Sequence, residues 1–168
     1  MSRIIRAIPI AILAFIVYIV FTGSATHFDI VTGVIGAIIV GIVFGSVVIT
    51  NTYKFLHLQR YFWGLAYALH YFFIAEVQAH YDVIKRILNP KMPINPGIVK
   101  IPIDVASDYS ILAVANSITN TPGTVTVYVH PNKKYLYINW IDVVTREPEE
   151  ARKAISYVFE KFAKKVFD

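Results

Sequence analysis

The sequence predicts a membrane-anchored α+β protein, with two or three hydrophobic helices at the N-terminus and a small βαββα domain after them. Three observations predict it. From Met1 to His80 only Arg3, Arg6, Asp29, Lys54, Arg60 and Glu76 carry formal charge, set among long apolar runs. Three prolines and a glycine (Pro90, Pro93, Pro96, Gly97) then interrupt the chain. Beyond them charge and alternation return, as in a soluble domain. The expected organisation is a membrane region over 1–88, a linker over 89–97 and a C-terminal domain over 98–168.

The first helix is expected at about 4–22. Its run from Ala7 to Phe21 has no polar side-chain atom except the Tyr18 hydroxyl, and Arg6 can snorkel from its end. Pro9 falls in the first turn, where a missing N–H costs little. A secretory leader would also start with Arg3 and Arg6 and end in small residues such as Gly23, Ser24 and Ala25. The second apolar run follows so closely that Thr22 to Phe28 reads instead as a hairpin turn. The second helix is expected at about 29–50; Ile30 to Ile49 is about the length a bilayer requires. In lipid the backbone must bond within each segment, so both runs are helices.

Gly33, Ala37, Gly41 and Gly45 recur every four residues and share one face of the second helix. Small side chains let another helix approach closely, so this face is expected to pack and to seek partners. A third helix is expected at about 61–88. Its first half is rich in aromatics, which favour the headgroup level. Its second half carries Glu76, Gln78, His80, Asp82, Lys85 and Arg86 and is polar enough to leave the membrane. The crossings therefore number two or three. The absence of Lys and Arg from Thr22 to Phe28 favours two crossings with an interfacial third helix and a cytoplasmic C-terminal domain.

In the C-terminal domain Ile98 to Val105 reads as a strand, and Ser107 or Asp108 caps a helix that buries Ile111, Leu112, Ala115 and Ile118. Thr121-Pro122-Gly123-Thr124 forms a turn in which glycine supplies a positive φ. Thr124 to His130 alternates, with Val125, Val127 and Val129 on one face, and a hairpin returns through Tyr135 to Val143. Pro148 opens a final helix with an apolar stripe of Ala151, Ile155, Val158, Phe159, Phe162 and Val166. Arg152, Lys153, Lys161, Lys164 and Lys165 read as its solvated face or as a docking face for anionic lipid or an acidic protein.

A hydrophobic content of 56% and a mean hydropathy of +0.55 agree with a membrane protein. No cysteine is present, which removes thiolate chemistry, disulfides and iron–sulfur ligation. The net charge of +5 suits an anionic surface, but no basic patch with interleaved aromatics suits nucleic acid. The candidate proton-handling groups are Glu76 and His80, one helical turn apart, and Asp29 at the start of the second helix, where capping is the simpler role. His70 reads as a packing residue among aromatics. The histidines show no metal spacing, and phosphate-loop, nucleophile-elbow and zincin patterns are missing. Neither catalysis by this chain alone, nor a cofactor, nor a small-molecule substrate of its own is expected.

At Ala115-Asn116-Ser117-Ile118-Thr119-Asn120-Thr121-Pro122-Gly123-Thr124-Val125-Thr126-Val127 the sequence resembles the E subunit of Mrp-type (Mnh, Pha) multisubunit sodium/proton antiporters. It resembles equally the equivalent subunit of archaeal membrane-bound hydrogenases and related ferredoxin-linked complexes. Thr22-Gly23-Ser24, Asp82-Val83 with Lys85-Arg86, Pro96-Gly97-Ile98-Val99, and Tyr137 to Asp142 add to the resemblance, which spans nearly the whole chain. It departs from the family pattern at Asn139, often His, and at His80, often Asn. The resemblance implies an accessory, multi-pass cell-membrane subunit in a hetero-oligomer with other membrane subunits, beside larger subunits that carry the ions. It also implies that Asn116, Ser117, Thr119, Thr121, Pro122, Gly123 and Thr124 form a hydrogen-bonded helix-to-turn-to-strand junction. The lack of cysteine and the wealth of Ile, Val, Tyr and Lys tilt the host toward an archaeal hydrogenase or related respiratory complex. The rival expectation is a stand-alone membrane-surface adaptor that recruits an acidic protein or anionic lipid through the final helix.

Overall fold

A computed structural model describes residues 3–49, 54 and 57–168. The chain divides into two compact units, Met1–Leu58 and Gln59–Asp168.

The first unit is a helical hairpin of α1 (Arg3–Thr22) and α2 (His27–Val48). The second helix starts two residues before its expected position, and residue 50, its expected end, lies outside the described residues. Both helices are long and apolar enough to cross a bilayer, with mean hydropathies of 2.6 and 2.5. Their outward side chains are bulky and exposed, as at Ile12, Ile16, Ile38 and Ile42.

The buried residues of α2 are Gly33, Ala37, Gly41 and Gly45, and the first helix of the same chain lies on them. A methyl at Gly41 would stand 2.7 Å from the Ala7 carbonyl oxygen, and one at Gly45 would stand 2.7 Å from Ala7 Cα. The backbones meet so closely that only glycine fits. The small-residue face is thus closed within the hairpin, where the sequence led us to expect an outside partner. Tyr18 and Thr32 add a 2.9 Å hydroxyl pair across the seam.

The second unit begins with a long helix, α3, made of α-helical Leu58–His70, a π-helical turn Tyr71–Ala75 and α-helical Glu76–Ile87. Then follow β1 (Gly97–Pro102), α4 (Asp108–Asn120), β2 (Thr124–Val129), β3 (Tyr135–Trp140), α5 (Pro148–Ile155) and α6 (Tyr157–Phe167). The sheet is antiparallel in the order β1-β3-β2. Val99, Ile101, Leu136 and Ile138 point from it into one core, where they join Val114 and Ile118 of α4, Ala151 of α5, and Phe159 and Ala163 of α6.

The compact units divide at 58/59, so α3, grouped with the membrane region in the sequence reading, packs into the C-terminal unit through its aromatics. The Tyr67 ring stacks on Phe162 at 5.4 Å and meets Phe159 at 6.4 Å, and Trp63 and His70 also face Phe162. The three valines of β2 do not share a face. A bulge between Thr126 and Tyr128 leaves Val127 unpaired and sets Val129 opposite the buried Leu136. The final helix breaks at Ser156, and Val158, expected in the apolar stripe, is 41% exposed.

The same break explains the basic face. Glu160, only 1% exposed, receives Arg152 Nη2 at 2.7 Å, the Ser156 hydroxyl at 2.5 Å and the Asp104 amide at 3.0 Å. Its carboxylate raises the proton affinity of the Arg152 guanidinium. Lys164 bonds Asp104, and Lys165 lies 3.4 Å from the Trp63 ring centroid. Much of the expected solvated face is therefore spent inside the domain. Asp168 closes the other end of α4, accepting the Ala106 and Ser107 amides at 2.9 Å together with the Ser110 hydroxyl.

Three outcomes follow from these contacts. Gly41→Val forces the hairpin backbones apart and lowers its stability by about 1–3 kcal/mol, whereas Gly36→Ala, which points into open space, is neutral or stabilising; unfolding in mixed micelles reads both. Glu160→Ala removes the buried partner of Arg152, leaving it only the exposed Glu149 and Asp104 carboxylates, and costs about 3–5 kcal/mol in the same measurement. Acid unfolding tests the carboxylates. Hydrogen bonding to Lys164 holds Asp104 below its ordinary pKa. Burial works to raise that of Asp168, but bonds from Ser110, Ala106 and Ser107 outweigh it and hold it low. Folded values below the unfolded ones give stability that is complete above about pH 4 and lost as pH falls through the folded values. Asp168→Asn should flatten that acid limb without changing its neutral plateau's dependence on pH.

Candidate functional site

The family-like string lies where α4 ends, turns and becomes β2. Every hydrogen-bonding choice there favours the turn. Thr121 Oγ1 donates to the Ser117 carbonyl at 2.6 Å and Thr124 Oγ1 to that of Ile118 at 2.8 Å, so two helix-end carbonyls are satisfied by side chains. Thr119 Oγ1 donates to the Ala115 carbonyl at 2.8 Å and accepts the Thr126 amide at 3.1 Å, which ties the helix to the strand it feeds. Gly123 has φ +95° and accepts the Ile141 amide at 2.9 Å, so the turn needs its missing side chain. Pro122 is half-buried beside it, and Asn116 lies exposed on the outer side of α4.

A second contact set joins this junction to α3. The Tyr67 hydroxyl meets the Ser117 hydroxyl at 2.6 Å. One turn along, Glu76 and Thr121 converge on the Tyr71 hydroxyl, and burial together with the Glu76 carboxylate pushes its pKa up to about 12. Tyr71 thus stays a donor at any physiological pH. Tyr71 opens the π-helical turn and Tyr67 lies one turn before it; in that geometry one extra residue shifts the second half of the helix relative to the first.

Arg86 completes the frame. Its guanidinium bonds Asp82 at 2.8 and 3.1 Å, Asp142 at 2.7 Å and the Pro93 carbonyl at 2.9 Å. One side chain therefore fastens the end of α3, the proline-rich linker and the chain beyond β3. Sequence reasoning placed Asp82, Arg86 and Asp142 in family-like strings but did not join them; the separation of 56 residues between Arg86 and Asp142 hid the pairing.

Between α3, the junction and α5–α6 lies an open cleft of ≈ 320 Å³. Its rim includes His70, Gln78, Asp82, Thr121, Trp140 and Lys153. His70, expected as a packing residue, is half-buried against Phe162 at 5.2 Å.

The three candidate proton groups do not come together. Asp29 is spent on a capping box: its Oδ2 accepts the Ser24 and Thr26 hydroxyls at 2.6 Å and the Thr26 amide at 3.2 Å, while its own amide donates to Thr26 Oγ1. Glu76 and His80 do meet, with Oε2 and Nδ1 3.3 Å apart, but His80 is 59% exposed and its Nδ1 also lies 2.8 Å from the Glu76 carbonyl. Glu76 Oε1 is buried without a hydrogen bond of normal geometry. Among the described residues no three His, Cys, Asp or Glu side chains gather as a metal site requires.

Comparison with known proteins bears on this arrangement. The family model described as Na+/H+ ion antiporter subunit matches residues 11–166. The Na(+)/H(+) antiporter E subunit of Alkalihalophilus pseudofirmus is 34% identical over 132 residues, 79% of this chain and 80% of that protein. Its Bacillus subtilis counterpart is 32% identical over 131 residues, 76% of this chain and 80% of its own length. Among solved structures, a chain of the membrane-bound sulfane sulfur reductase, an archaeal respiratory membrane complex, superposes with a TM-score of 0.84 at 33% identity, covering 96% of this chain and 99% of its own. With the signature junction, the two apolar helices and this match along nearly its full length, the chain belongs to the E-subunit family of Na+/H+ antiporters.

Proposed function

We propose that the protein is an accessory, non-catalytic membrane subunit that helps assemble a sodium/proton antiporter module and shape its cation path, within an archaeal respiratory membrane complex. Its partners are the other membrane subunits of that module, which carry the ions. The carrying observation is the mutual coverage of 96% and 99% with a subunit of an archaeal respiratory membrane complex.

The chemistry of the junction supports a scaffolding role. Ser117, Thr119, Thr121 and Thr124 spend their hydroxyls on backbone and on Tyr67 and Tyr71, and Arg86 spends its donors on Asp82, Asp142 and Pro93. Groups so committed hold a shape; they do not hand ions on. The basic final helix gives the adaptor alternative little support, since Arg152, Lys164 and Lys165 already serve Glu160, Asp104 and Trp63. We place the C-terminal domain in the cytoplasm of a multi-pass protein, because in the sequence Lys and Arg occur before and after the two apolar runs (Arg3, Arg6, Lys54 and Arg60) and none occurs between them from Thr22 to Phe28.

Purification from native membranes in mild detergent tests the reading. Larger antiporter-type subunits should travel with the chain; a small monodisperse protein would contradict the assignment. Glu76→Gln should leave sodium/proton exchange in vesicles of the complex within about two-fold of the parent. A loss of about ten-fold, equivalent to about 1.4 kcal/mol, would put this carboxyl on the ion path.

A further inference from the structure

We infer that α3 is an in-plane membrane helix whose outward stripe beds in the lipid headgroup and upper acyl layer, so that the C-terminal domain sits on the bilayer by its own helix. The inference rests on the membrane reading of the chain and adds a third lipid contact beside the two crossing helices.

The helix is amphipathic in the wrong sense for water. Four of its polar side chains engage the domain: Arg60 Nη1 donates to the Val166 carbonyl at 2.8 Å, His70 lies against Phe162, Asp82 rims the cleft and Arg86 reaches Asp142, while Gln59, His80 and Lys85 are exposed beside the outward stripe. Between those polar flanks the outward line is apolar from Leu58 to Leu88. Along it Phe62, Leu65, Leu69, Phe73, Val77 and Tyr81 are 49–71% exposed, at helical spacing through both halves and across the π-helical turn. At 1.5 Å per residue the stripe runs about 45 Å, far more exposed apolar surface than a soluble domain carries.

Lipid is the occupant these side chains fit. A helix-packing face within a membrane is made of small residues, as α2 shows where Gly41 and Gly45 admit α1. The α3 stripe has only bulky aliphatics and aromatics along its line, the composition of an interfacial helix. Glu76, with Asp82, Lys85 and Arg86, rules out an ordinary crossing for its second half, and α3 is not among the helices apolar enough to span. The chain reaches it only nine residues, 49–57, after α2 ends, so the membrane surface is the nearest apolar phase.

The chain has no cysteine, so single cysteines report cleanly. Leu65→Cys, Leu69→Cys, Phe73→Cys and Val77→Cys, all outward and away from the core, are spin-labelled in the full chain. The labelled chain is reconstituted in phosphatidylcholine–phosphatidylglycerol vesicles, alone and in its purified complex. Collision with molecular oxygen should exceed collision with a water-soluble nickel chelate several-fold at all four sites, at one shallow depth. A label at Asn132, on the hairpin turn of the domain, should show the reverse. Nickel-chelate access at the four sites would overturn the inference in favour of a solvated helix. Shielding from both reagents in the complex would overturn it in favour of a protein neighbour, and depth rising steadily from Leu65 to Val77 in favour of a crossing. In each case co-purification with the larger subunits still tests the family role separately.

Discussion

The stack of Tyr67 on Phe162, with Phe159 beside it, is the contact on which the C-terminal unit depends. It joins the first helix of the unit to the last. Without it the sheet and α4–α6 would still share a core, but Tyr67 would lose the seat from which it reaches Ser117, and α3 would be held only by contacts toward its ends and at Tyr71, such as Lys165 over Trp63, Tyr71 beside Phe159 and Arg86 on Asp142. Aromatic rings bury large areas and stack at a defined mutual angle, here 8° between Tyr67 and Phe162, so this seam constrains both the position and the rotation of α3. That rotation decides which of its residues meet the domain and which face away.

A second constraint works inside the helical layer. Glu160 is enclosed by protein, and a carboxylate there survives only with its charge and lone pairs answered. Arg152 answers the charge, and Ser156 and the Asp104 amide take further lone pairs. The break between α5 and α6 belongs to this arrangement: Ser156 is both the residue that interrupts the helix and a donor to Glu160. A continuous helix would have kept Arg152 and Glu160 eight residues apart on one rod. Apolar stripe and charged face are therefore coupled, since the bend that buries Glu160 also exposes Val158.

Local patterns in the sequence carried much of this fold. The apolar runs, the four-residue spacing of Gly33, Ala37, Gly41 and Gly45, the Ser107 cap and the Thr121–Thr124 turn are all decided by residues within one or two turns of each other. What the sequence hid depends on distant partners. Nothing in the neighbourhood of Tyr67 says that it will meet Phe162 rather than lipid, because an aromatic suits either. The π-helical turn and the β2 bulge each shift a periodic pattern by one residue, which leaves composition unchanged and so leaves no local mark. The pairing of Arg86 with Asp142 was hidden in the same way. The small-residue face, expected to pack and to seek partners, meets α1 of the same hairpin, the helix next to it in the chain.

Two helix faces in this protein divide the ways of satisfying an apolar surface. On α2 small residues bring backbones to within van der Waals distance, and contact enthalpy between helices replaces what lipid would supply. On α3 bulky residues cannot be matched by a second helix at that distance, and they gain by transfer from water into the interfacial layer. The first face holds the two hairpin helices at close backbone distance. On the interfacial placement proposed for it, the second confines the domain to sliding and turning in the membrane plane. For a subunit whose junction residues are committed to internal bonds, that confinement is a physical contribution to assembly. A neighbouring subunit then meets a surface already at the right depth, and the orientational cost of association is reduced before contact is made.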